Sequence, residues 1–145
     1  MTAGAGFLLA VLWFDLMFDV QGLRHDERDL PEEVLASIAG YYRRVTTAAR
    51  PMNRLIAAVM LATLAAIIVQ IARAEQPRWV GWASVALAAA PIVLAAARTV
   101  PSAVQLGART DTVDRQSVLA RSICRDHLLS VASITALLAL QLTAA

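Results

Sequence analysis

The sequence predicts an all-α, polytopic membrane protein: an antiparallel bundle of four transmembrane helices with helical cytoplasmic extensions. Three observations lead there. The 145 residues are 59% hydrophobic and only 17% charged, whereas a soluble domain is about 45–50% apolar and about 25% charged. The apolar residues cluster into four runs, each near the ~20 residues needed to cross a bilayer. All 13 basic residues are arginines, and they flank those runs. The mean hydropathy of +0.61 agrees. The length holds a single domain, 1–145.

The first run predicts a span over 4–21, and its core, GFLLAVLWFDLMFDVQG, carries Asp15 and Asp19. The connector LRHDERD alternates in charge and reads as a solvated link, with His25 in water. Asp29-Leu-Pro-Glu32 then has the pattern of a helix start, with an acidic N-cap, Pro in the first turn and Glu three residues on. Val34, Leu35, Ile38, Tyr41, Tyr42 and Val45 follow at helical spacing. This amphipathic helix, over about 30–49, should end at Ala49 because Pro51 interrupts it. Packing against the bundle is the expectation for it, ahead of lying on the membrane surface.

The second span is predicted over 52–71 and the third over 79–97, with a bend at Pro91 whose freed carbonyl a neighbour must satisfy. Gly107 should end the third helix, and GARTDT should turn the chain. The fourth span covers 123–142, on a helix whose pattern begins near Thr112. The small side chains of Ala58, Ala62, Ala65, Ala66, Ala86 and Ala90 are expected to let the helices approach closely.

Arginine placement orients the chain. The segment after span one carries Arg24, Arg28, Arg43, Arg44 and Arg50; the segment after span three carries Arg98, Arg109, Arg115 and Arg121. The link between spans two and three has only Arg73 and Arg78, and the termini have none. The positive-inside rule puts both termini outside and the rich segments in the cytoplasm. Trp79 and Trp82 then fall at the outer interface. Arginine to the exclusion of lysine, with heavy Ala, Val and Leu usage, fits a GC-rich coding sequence and a bacterial inner membrane. Nucleic-acid binding is excluded as a reading, since the net charge is only +2 and the arginines serve as topology signals. The single Cys124 allows no internal disulfide and reads as a packed apolar residue. With no cationic n-region, the N-terminus does not read as a cleavable signal.

In this topology the unusual polar residues meet at one depth. Asp15 and Asp19, four apart, share a helix face. Asn53 and Arg54 open span two; Arg121, Arg125, Asp126 and His127 open span four. A carboxylate at the bilayer centre costs about 2.5–3.5 kcal/mol on insertion scales, so the pair should face inward and find cations. Arg54, Arg121 and Arg125 are the expected partners, since a guanidinium grips a carboxylate bidentately. Such a ladder would fix helix order without chemistry. The functional alternative is a polar pocket open to the cytoplasm, with His127 bonded to a carboxylate. The outer half is expected to be almost purely apolar. There is no HxxxH, no ExxH pair and no CxxC, so no metal site is expected, and no cofactor is named by the sequence.

These residues point first to a non-catalytic subunit or binding protein of the membrane. Its partners would be the lipid bilayer, an anionic lipid headgroup met by the arginines, and a partner membrane protein or a second copy. A proton-linked small carrier and a membrane-embedded enzyme acting on an apolar substrate are the alternatives. No motif decides whether the chain is an enzyme.

Overall fold

The computed structural model describes residues 2–25, 27–74 and 76–144. Asp26, in the alternating-charge connector, lies outside the described residues, as does the side chain of Arg50. Among the described residues every regular element is a helix, without a strand. The helices are α1 (Thr2–Asp19, prolonged by a 3-10 turn, Val20–Leu23), α2 (Glu32–Thr47), α3 (Arg50–Ala72), α4 (Arg78–Ala108) and α5 (Val113–Thr143). All but α2 are long and apolar enough to cross a membrane.

Helix α2 starts later than its N-cap pattern implies. Pro31 holds the position before the first turn in extended conformation, and no side chain caps it. Pro also biases the preceding residue away from helix, so Asp29 lies too far out to cap. The amide of Leu30 is taken by Ser117 Oγ at 2.9 Å instead. Glu32 and Glu33 in the first turn and Arg44 in the last complement the helix dipole. Leu35, Ile38, Ala39 and Tyr42 are buried against Ala103 and Leu106 of α4 and against Leu119, Ala120 and Ile123 of α5. The helix therefore packs on the ends of its neighbours. It breaks at Ala48 and Ala49, and Pro51 enters the first turn of α3, where its missing amide does no harm.

Helix α4 shows how an interior proline is accommodated. Pro91 cannot donate to Leu87, and the Leu87 carbonyl accepts from Ser133 Oγ of α5 at 2.9 Å. One turn later the helix widens into a π turn, Ala95–Thr99. Its end differs from the expectation. Gly107 remains helical, and Arg109, with a left-handed φ of 56°, closes the helix. Gly107 is there for space, because a Cβ would stand 3.0 Å from the Arg43 backbone nitrogen. Thr112 caps α5, as its sequence pattern implies.

The core has two parts. One joins α2 to the ends of α4 and α5. The other, around Ala5, Leu8, Ile67, Ala88, Ile134 and Leu137, joins α1, α3, α4 and α5. The alanines expected at the contacts do not make them: Ala58, Ala62, Ala65, Ala86 and Ala90 are exposed, and Ala66 is half-buried. Close approach comes from Gly4 against Thr63, Gly81 against Ile71, and the buried Ala5 and Ala88. A helix made largely of alanine gives no phase signal, so composition could not select the contacting face.

Candidate functional site

The two aspartates of α1 meet tyrosines and a histidine. Asp19 is fully buried and accepts from Tyr42 Oη at 2.6 Å; its other oxygen lies 2.6 Å from His127 Nδ1. An ionised carboxylate only accepts, so Nδ1 carries the proton and donates it. Asp15, one turn away, accepts from Tyr41 Oη at 2.5 Å. Its second oxygen lies 4.0 Å from His127 Nε2. One imidazole thus stands between two carboxylates, bonded to Asp19 and facing Asp15 across a gap.

Local sequence explains the convergence. Adjacent Tyr41 and Tyr42 project about 100° apart from α2 and reach the two carboxylates on the facing turns of α1. Tyr41 stacks on Phe18 with ring centroids 4.1 Å apart and planes 9° from parallel. Tyr42 stands edge-on to it at 5.2 Å. Burial, reinforced by the bond to Asp15, pushes the Tyr41 hydroxyl above the ordinary tyrosine range. Burial and the Asp19 charge do the same for Tyr42. Both phenols are therefore fixed donors at neutral pH.

Next to this network lies a groove of about 390 Å³, within the range of small-molecule pockets. Leu8, Leu12, Ile56, Met60, Pro91 and Ile134 give it apolar walls; Asp15, Tyr42, Asn53, Thr99 and His127 make its polar end. The π turn of α4 forms part of one wall through Ala95 and Thr99. π turns recur at functional sites because they redirect side chains without ending a helix.

The other residues expected at the site are distributed differently. Asn53 donates to the Val45 carbonyl at 2.8 Å, tying α3 to the end of α2, and borders the groove. Arg54 and Arg125 are exposed and have no side-chain partner among the described residues. Arg121 donates to the carbonyls of His25, Glu27 and Arg28. Asp126 is buried and pairs with Arg98 at 3.2 Å, with the Thr99 hydroxyl at 3.4 Å. The expected arginine ladder on Asp15 and Asp19 is therefore replaced by tyrosines and histidine. On α5 the inward face carries Ile123, Asp126, His127 and Ser130. Arg121 and Arg125 sit on its flank, and α2 fills the space between α1 and α5 with its tyrosines.

Sequence reasoning read Tyr41 and Tyr42 only as part of an apolar face. The missed signal was a pair of phenols on the helix that must cover two aspartates. It also missed a second polar group. Gln141 is buried, donates to Ser84 Oγ at 2.6 Å and accepts from Gln76 at 3.2 Å. The half expected to be almost purely apolar thus has a polar seam, separated from His127 by the buried Ile134 and Leu137. Among the described residues no group of three or more His, Cys, Asp or Glu side chains is placed to hold a metal ion. Cys124 is buried and unpaired. The chain matches no protein-family model, no curated protein and no solved structure in these comparisons.

Proposed function

We propose that this chain is a multi-pass membrane protein that binds an apolar ligand between its helices, with the polar end of the ligand at Asp15 and His127. In this reading α1, α3, α4 and α5 cross the bilayer as an antiparallel bundle. Both termini lie outside, and the exposed Arg43, Arg44, Arg54 and Arg125 meet anionic headgroups on the cytoplasmic side of a bacterial inner membrane. The observation that carries the proposal is the apolar groove of about 390 Å³ ending on a built hydrogen-bond network. Ligand sites have this composition: mostly apolar walls with a few placed polar groups. The binding role needs no catalytic motif.

Native mass spectrometry of the protein released gently from its own membrane tests this. A bound small molecule in the wild type that is lost from Ala95→Phe, which fills the groove, is the expected result. A wild-type protein whose bound species all survive Ala95→Phe would remove the groove from the function. A constant second protein in the spectrum would make the chain a subunit instead.

One observation favours a second reading. Tyr41, Asp15, His127, Asp19 and Tyr42 form a chain broken only by the 4.0 Å gap, the kind of arrangement used to move protons in membranes. A proton-linked carrier would need that chain to connect with both sides. Proton flux in proteoliposomes that is unchanged by Asp15→Asn would end this reading.

A further inference from the structure

We infer that the ligand is a cationic amphiphile: an apolar tail lies along the groove and a protonated amine donates to Asp15 Oδ2 beside His127. This inference rests on the groove reading above and adds the chemistry of the head.

Charge is the first argument. Two carboxylates and one imidazole converge here; with both carboxylates ionised, even a protonated imidazole leaves one negative charge for a ligand to cancel. His127 Nδ1 is committed to Asp19 at 2.6 Å, and Nε2 stays 4.0 Å from Asp15. That charge falls to Asp15, the only carboxylate lining the groove among the described residues. Among the described residues no arginine side chain lines it either. Arg98 is engaged by Asp126 and Arg121 by loop carbonyls. A desolvated anion without a matched cation is costly. A ligand ammonium supplies that cation; an alcohol would leave the charge in place, and a carboxylate or phosphate would add to it.

Hydrogen-bond valence is the second argument. Asp15 Oδ1 is used by Tyr41, which leaves Oδ2 without a hydrogen bond, 4.0 Å from His127 Nε2. The Asn53 amide nitrogen is used by the Val45 carbonyl, which leaves its amide oxygen as another acceptor. An acceptor-rich end calls for a head with several donors, and an ammonium has three. The groove has room for one chain or ring system.

The test is binding of dodecylamine, dodecanol and dodecanoate to the wild type, Asp15→Asn and Ala95→Phe proteins in nanodiscs. Binding that survives Ala95→Phe is counted as partition into lipid. The expected result is groove binding of the amine at least about tenfold tighter than of the alcohol, with no groove binding of the carboxylate. Asp15→Asn should bring the amine to the level of the alcohol. Groove binding in which the alcohol or carboxylate equals or exceeds the amine overturns the cationic head and leaves the groove reading standing. Absence of groove binding by all three probes overturns both. The wild-type ranking with the Ala95→Phe control decides the matter even if Asp15→Asn does not fold.

Discussion

Tyr42→Phe tests the network at its most buried point. The substitution removes one oxygen and leaves the ring packed; Tyr42 is only 3% exposed and belongs to the core of α2. No cavity forms, so the change isolates the 2.6 Å bond to Asp19. That carboxylate has no exposed surface, and water cannot replace the lost donor. A hydrogen bond to a charged group contributes about 1.5–3 kcal/mol, and the cost should fall in that range. Tyr41→Phe removes a bond of similar length, but the Asp15 side chain is 16% exposed and borders the groove. Solvent or ligand substitutes there, and the cost should be near the roughly 0.6 kcal/mol average for hydrogen bonds between membrane helices. Equilibrium unfolding in mixed micelles, followed by far-UV circular dichroism, measures both. A Tyr41→Phe cost equal to or above that of Tyr42→Phe would refute the assignment of Asp19 as the dry end of the network and Asp15 as its open end.

Four further outcomes are expected. Gly107→Ala should destabilise by about 1–3 kcal/mol, as overpacking does, because its Cβ would meet the Arg43 backbone at 3.0 and 3.1 Å. Gly40→Ala on α2, with nothing within 4 Å, should stabilise by about 0.5–1 kcal/mol; the same unfolding assay separates the two. Tyr41 and Tyr42 hold their protons more tightly folded than unfolded, so their contribution is complete below the ordinary tyrosine value of 10.0 and declines as the pH rises above it. Unfolding free energy should fall with pH there in the wild type and less steeply in Tyr42→Phe. Arg121→Gln should free the connector whose carbonyls it holds, seen as faster proteolysis between Leu23 and Leu30 with helix content kept.

The helices were legible because their signals are local. Four apolar runs, Thr112 before α5 and Pro51 after α2 each mark a boundary by their own chemistry. The bend at Pro91 followed from a missing amide, but the partner of Leu87, Ser133, lies 46 residues away and carries no local mark. Asp15 and Asp19 were legible as inward-facing residues because exposure to lipid would cost too much. Their partners were not legible, since partner choice depends on which helix fills the space beside α1. Charge alone favoured arginine. Packing placed α2 there, and its tyrosines arrived with it. Gly107 misled for a related reason: a glycine near a helix end suggests a stop, and only the path of α2 shows that it makes room for Arg43.

The fold solves the burial of carboxylates in two ways, and the contrast bears on function. Asp126 is matched by Arg98, whose charge neutralises it while most of the guanidinium side chain stays exposed. That pair is closed, and fixing the register of α4 on α5 accounts for it. Asp15 and Asp19 are held by phenols and one imidazole. Neutral donors satisfy lone pairs without bringing a second desolvated ion, whose burial alone costs several kcal/mol. They also leave charge uncancelled. At Asp19, which is sealed, the contact with His127 offsets it. Asp15 instead borders an open groove of about 390 Å³. Among the described residues Asp15 is the one carboxylate on the groove and no arginine faces it there, a place that a bound cation would fill.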